Sequence, residues 1–170
     1  MRKTVFLLAS LFVMVLATQQ MMAQNSADAT ARVTATIITP ISIEKTADLL
    51  FGKIVKSDAG GTVVIDTEDN AVYTGVTEFA NNINVSAAKF TVKGNAGNRY
   101  SISLPASITI SETGGATMTV NHFTSSPDVT AGVIASNGTQ PLSVGATLNV
   151  GADQAAGEYA GEFTVTVAYN

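Results

Sequence analysis

Residues 157–170 read GEYAGEFTVTVAYN, and their polarity alternates one residue at a time. Tyr159, Gly161, Phe163, Val165, Val167 and Tyr169 fall on one face, and Glu158, Ala160, Glu162, Thr164, Thr166 and Ala168 on the other. Successive strand residues point to opposite faces, so this pattern predicts a terminal strand with one buried side and one wetter side. Ala27, Ala29, Ala31, Val33, Ala35 and Ile37 alternate in the same way with mostly polar neighbours. They predict a first strand over residues 27–37, ended by Pro40.

Ile41 and Ile43 begin a short second strand. Leu49, Leu50, Phe51 and Ile54 form an apolar stretch that Gly52 keeps from being a helix. Gly60 and Gly61 introduce a third strand over residues 62–65, after which residues 66–87 read as a long loop or mobile edge. Ala88, Phe90 and Val92, then GNAGN at 94–98, then Tyr100, Ile102 and Leu104 predict a hairpin around a glycine-rich turn. Ile108 and Ile110 lead through Gly114 and Gly115 to Met118 and Val120, a second hairpin ending near His122. The Asn137-Gly138 pair marks a turn into Leu142, Val144, Ala146, Leu148 and Val150. Seven to nine strands with frequent turn signals and no helical period predict an all-β, antiparallel, immunoglobulin-like sandwich.

At the start of the chain, Arg2 and Lys3 precede an apolar run over residues 5–17 and then small and polar residues up to Ala23. That is the pattern of a secretory signal peptide, too short for a spanning helix of roughly 20 residues. Residues 1–23 are therefore expected to be removed, with Ala17 as the alternative cleavage position, leaving one domain over residues 24–170. No transmembrane segment is expected after that removal. The expected location is the periplasm or the outer cell surface.

Loss of Arg2 and Lys3 leaves seven basic residues against thirteen acidic, a net charge of −6. Nucleic acid is a poor partner for such a chain, since phosphate binding needs clustered Lys and Arg. Cysteine and tryptophan are both absent, which excludes disulfides, thiolate metal sites and an indole sugar platform.

His122, the sole histidine, has neither a second histidine nor a G-x-S-x-G elbow to work with and reads as a strand-end surface residue. Asp66, Glu68 and Asp69 do not have the spacing of an EF-hand loop and read as solvated. Glu158 and Glu162 share a strand face roughly 13 Å apart, farther than paired glycosidase carboxylates, and read as edge-protecting charges. GNAGN precedes no helix and so offers no anion site. The sequons at Asn84 and Asn137 carry little information in a chain so rich in Asn, Ser and Thr. No catalytic, metal or cofactor site is expected.

The segments KTADLLFGKIV at 45–55, KFTVKGNAGNRYSISLP at 89–105, TMTVNHFTS at 117–125 and LSVGATLNVGADQAAGEYAGEFTVTVAYN at 142–170 resemble the bacterial domain-of-unknown-function family 4402. That family is common in exported proteins of Gram-negative bacteria and implies no activity. The chain is also similar to spore-coat-U and chaperone-usher pilin subunits. These end in an alternating strand with a glycine fourteenth from the end, here Gly157, and a penultimate tyrosine, here Tyr169. Many such pilins carry a disulfide that this chain lacks.

The resemblance implies a non-enzymatic structural or adhesive surface protein, a pilin-like subunit joined by β-strand addition. In that mechanism residues 25–37 of one copy lie in a groove of the next, with Ala29, Ala31, Val33, Ala35 and Ile37 as donor contacts. Gly157, Phe163, Val165, Val167 and Tyr169 are the candidate assembly residues of the terminal strand, which in such pilins the assembly chaperone reads by β-strand addition, and the expected partners are further copies or a periplasmic chaperone and usher. The alternative is a self-contained periplasmic or surface module that binds glycan or protein through its loops.

Overall fold

The computed structural model describes residues 26–80 and 84–170. The expected signal peptide, and Asn25 at the start of the expected donor segment, lie outside the described residues. The chain divides into two units, Met1–Thr36 and Ile37–Asn170. In the described part of the first unit no residue is in a strand and every side chain is exposed. The expected first strand over residues 27–37 is therefore absent. Its apolar face is mostly alanine, which offers little area to bury, and a lone strand has no ladder to join.

The second unit holds fourteen strands among the described residues: β1 (Ser42–Ala47), β2 (Leu50–Phe51), β3 (Ile54–Val55), β4 (Gly61–Ile65), β5 (Ala71–Thr74), β6 (Thr77–Glu78), β7 (Val85–Ser86), β8 (Ala88–Lys93), β9 (Arg99–Ser103), β10 (Ser107–Ser111), β11 (Thr117–Ser126), β12 (Gly132–Val133), β13 (Thr139–Val150) and β14 (Thr166–Tyr169). Every pairing between them is antiparallel, as the turn spacing predicts.

The long strand β13 is the spine of the main sheet, ordered β1-β8-β13-β11-β10. Its even positions Leu142, Val144, Ala146, Leu148 and Val150 are all buried, in agreement with their alternation in the sequence. One edge of β13 pairs first with β8, up to Val144 against Ala88, and then with β4, from Ala146 against Ile65. Gly145 sits at the changeover, where a Cβ would run into the Ile65 carbonyl and come within 2.9 Å of the Asp66 carbonyl carbon.

Residues 66–80 and 84–87 are more regular than expected. β5 pairs along β4, β6 along β3 and β7 along β2. Val72 in β5 points outward and is exposed, so both faces of that strand are apolar and the period-2 signal is hidden.

A second sheet has the order β12-β9-β14. Its Tyr100 and Ile102 join Ala88, Val92, Leu142 and Val144 of the main sheet in one buried cluster, so the two sheets face each other there. The expected β8–β9 hairpin is overturned, because β8 belongs to the main sheet and β9 to the second. GNAGN is thus a crossover between sheets, held by Gly94 N donating to Gly138 O (3.0 Å) and Gly97 N to Ile134 O (2.8 Å). A short glycine-rich link announces a change of direction, not which strand is met next. The β10–β11 hairpin forms as expected.

Candidate functional site: an open seam beside the C-terminal strand

In the C-terminal segment the side-chain phase agrees with the sequence pattern while the hydrogen bonding does not. Tyr159, Phe163, Val165, Val167 and Tyr169 are half-buried, and the residues between them are exposed. The ladder, however, covers only Thr166–Tyr169, which pair with Ser103 to Tyr100 of β9. Upstream, Ala160 makes a single two-way bridge to Ser111 at the end of β10. Between these anchors residues 161–165 make no backbone hydrogen bond among the described residues. Gly161 is needed where it stands, since a Cβ would come within 2.8 Å of Ile110 Cγ2. Gly157 lies outside any strand, against the Glu112 side chain.

The outer edge of β14 and the outer edge of β1 lie side by side. At one end the Tyr169 hydroxyl donates to Thr39 O at 2.8 Å, just before β1. At the other end Glu162 is close enough to Lys45 to add to the rise of its ammonium pKa, behind the hydrogen bond and charge of Asp48. Next to β1 lies a group of aromatic rings, Phe90 pairing across from Lys45. Phe163 packs edge-on against Phe90, with centroids 6.4 Å apart and planes at 83°, and tilts over Phe123 at 5.1 Å. All three rings are only half-buried.

The expected donor residues have the complementary property. Ala29, Ala31 and Ala35 are exposed, and Val33 and Ile37 keep 91% and 97% of their surface in solvent.

Other residues singled out from the sequence fall elsewhere. His122 is not at a strand end but in the middle of β11, at φ 51°, inside an irregularity where Asn121 and Thr124 flank two residues opposite Ala146. The extra residue flips the phase, turning His122 outward and Phe123 inward, which strict alternation could not foretell. His122 Nδ1 lies 2.8 Å from Asn121 Oδ1, an oxygen that also accepts from Asn149 Nδ2 at 3.0 Å. A cavity of about 710 Å³ opens beside this bulge, lined by Leu104, Pro105, Ser107, His122 and Phe123 among others.

Asp66 turns its carboxylate onto the backbone of Glu68 and Asn70 and onto the Asn70 amide, which holds its pKa below the usual range. Asp69 is likewise lowered, by the Lys89 ammonium at 2.5 Å and then by the Ala87 amide. Those oxygens organise the β4–β5 turn and tie it to β8. Among the described residues no three His, Asp or Glu side chains converge as metal ligands would. No helix among them is long and apolar enough to cross a membrane.

Two facing antiparallel sheets define an all-β protein, and residues 161–165 beside them make no backbone hydrogen bond among the described residues. The chain belongs to the family described as domain of unknown function DUF4402, whose model matches residues 41–169. No curated protein and no solved structure matches it.

Proposed function

We propose that this is an exported, non-enzymatic structural or adhesive surface protein, a pilin-like subunit with an immunoglobulin-like sandwich, whose copies join by β-strand addition. The donor is the arm over residues 25–37, and the acceptor is the seam between β1 and the C-terminal segment of the next copy. The observation that carries this reading is the mismatch over residues 161–165, where side chains alternate as in a strand while the backbone has no ladder partner among the described residues. An added strand would satisfy those amides and carbonyls and cover Phe90, Phe123 and Phe163. Small donor side chains at Ala29, Ala31 and Ala35 suit a close approach to those rings. The resemblance of the sequence to spore-coat-U and chaperone-usher pilins points the same way. A periplasmic chaperone and usher would be the assembly partners, and the periplasm or outer surface the location.

Size-exclusion chromatography with thermal melts on the mature protein tests this. Wild type should assemble, deletion of residues 25–37 should give a monomer, and a peptide of those residues should raise that monomer's melting temperature. A wild type that stays monomeric at high concentration would dispose of strand addition.

The alternative, a self-contained module binding glycan or protein through its loops, draws on the cavity beside His122. A non-glycine residue at positive φ is uncommon and collects at binding sites. The cavity is lined by Asn121, Ser103 and Ser107 as hydrogen-bonding groups and carries no Lys, Arg, Asp or Glu, which suits a neutral ligand.

A further inference from the structure

The cavity beside the β11 bulge lies where the two sheets part. β9 belongs to the second sheet and β10 to the main one, so residues 104–106 cross between them. β10 begins at Ser107, opposite Asn121, and beyond that pair β11 runs on to Ser126 with β13 as its only ladder partner among the described residues. The uncovered flank of β11 and the crossover border about 710 Å³, within the roughly 300–1,000 Å³ of small-molecule sites. Leu104 and Phe123 line it as half-buried apolar side chains, and Phe123 is held by Phe163, with ring centroids 5.1 Å apart. Ser103, Ser107, Asn121 and His122 supply the polar groups.

The proton on the His122 ring can be placed from its neighbours. The Thr119 carbonyl can only accept, so the Asn149 group 3.1 Å from it is the amide nitrogen. That nitrogen also lies 3.0 Å from Asn121, whose facing atom must then be the carbonyl oxygen. The same oxygen is 2.8 Å from His122 Nδ1, so in the neutral ring Nδ1 carries the proton and Nε2 is an acceptor. Nε2, the Asn121 amide nitrogen and the hydroxyls of Ser103 and Ser107 make no hydrogen bond among the described residues. One acceptor, one N–H donor group and two hydroxyls that do either thus surround an aromatic ring, with no Lys, Arg, Asp or Glu in the lining. A charged ligand would find no counter-charge there, and a purely apolar one would leave the four groups dry and unpaired. We propose that the cavity is a binding site for a neutral sugar, whose hydroxyls pair with Ser103, Ser107, Asn121 and His122 Nε2 while a C–H face lies against Phe123. This rests on the second reading, binding through loops, and is independent of strand addition. Asn149 does not line the cavity; it is a positioning residue that fixes which nitrogen of His122 accepts.

His122 is the sole histidine, so its ring nitrogens give unambiguous NMR signals in the full mature protein. The free protein should show the Nδ1–H form. Titration with glucose, galactose and mannose should move the Nε2 signal saturably for at least one of them, with a millimolar or tighter Kd. The amino sugar and the uronate of that hexose, and cyclohexanol, should bind at least about tenfold more weakly, the loss expected for one hydrogen bond. His122→Gly removes the acceptor at a φ of 51° that glycine adopts freely, so the fold is kept while hexose affinity, read by calorimetry, falls about tenfold. Asn149→Ala should leave His122 as a mixture of both tautomers and weaken the hexose by about the same factor, a change of ring signal that a merely structural residue would not give. A wild-type ring in the Nε2–H form overturns the site, and wild-type affinity in His122→Gly places the sugar outside this cavity. Binding of the charged or apolar probes in place of the hexoses overturns the sugar and keeps the loop-binding reading. No saturable shift with any probe removes both at this cavity.

Discussion

Tyr100 is fully buried in the cluster between the sheets, and its hydroxyl has no hydrogen-bond partner among the described residues. Burial raises its pKa, since a phenolate there would be stripped of water. Gly132 lies against the ring, where a Cβ would come within 2.6 Å of Cζ, so the ring is held by packing and not by its oxygen. A buried hydroxyl without a partner costs about 1–3 kcal/mol. Tyr100→Phe should therefore leave stability unchanged or raise it by about 1 kcal/mol, read as the midpoint of chemical denaturation. A clear loss would mean that the hydroxyl is satisfied, by an ordered water for instance. The sequence placed Tyr100 on an inward face through its alternation with Ile102, and it could say nothing of the orphaned oxygen. It erred at His122 for a related reason: one extra residue in β11 reverses the phase, and a period-2 reading carries no sign of an insertion.

At the scale of elements, the strands that alternate strongly were legible and their partners were not. β13 reads plainly from Leu142 to Val150, yet nothing in those residues tells that one edge serves β8 and then β4. The sign of the changeover is Gly145, which looks like an ordinary weak spot in a strand and is in fact where the end of β4 closes onto the spine. Gly145→Ala has an acceptable φ and so tests the close approach alone. A methyl directed at the Ile65 carbonyl should cost about 1–3 kcal/mol, as forced overpacking usually does, and lower the thermal midpoint accordingly. A neutral Gly145→Ala would show that the end of β4 does not close onto the spine at this residue. The same distinction between face and partner applies at the C-terminus. The residue pattern gave the correct faces for Phe163, Val165, Val167 and Tyr169 but implied a ladder along the whole segment, of which only Thr166–Tyr169 is paired.

For the whole molecule the decisive question is where the apolar face of residues 27–37 goes, and alternation alone answers only that it wants a partner. Val33 is the sharpest probe because it is the bulkiest residue near the middle of that face and 91% exposed. An exposed valine can become aspartate at little cost to the unit that carries it, since surface changes stay within about 0.5 kcal/mol. An aspartate forced into an apolar cleft between sheets is another matter, because an unpaired buried charge is strongly unfavourable. Val33→Asp should thus leave the melting temperature of the dilute monomer unchanged while abolishing assembly at concentrations where wild type joins. Mixing labelled variant with wild type adds a direction to the test. The variant keeps an intact seam and can accept a wild-type arm, but cannot donate its own, so it should cap wild-type chains at one end and shorten them in proportion to its share. A Val33→Asp protein that melts several degrees lower as a monomer would place that residue within its own fold. One that polymerises normally would mean that the arm is not the donor.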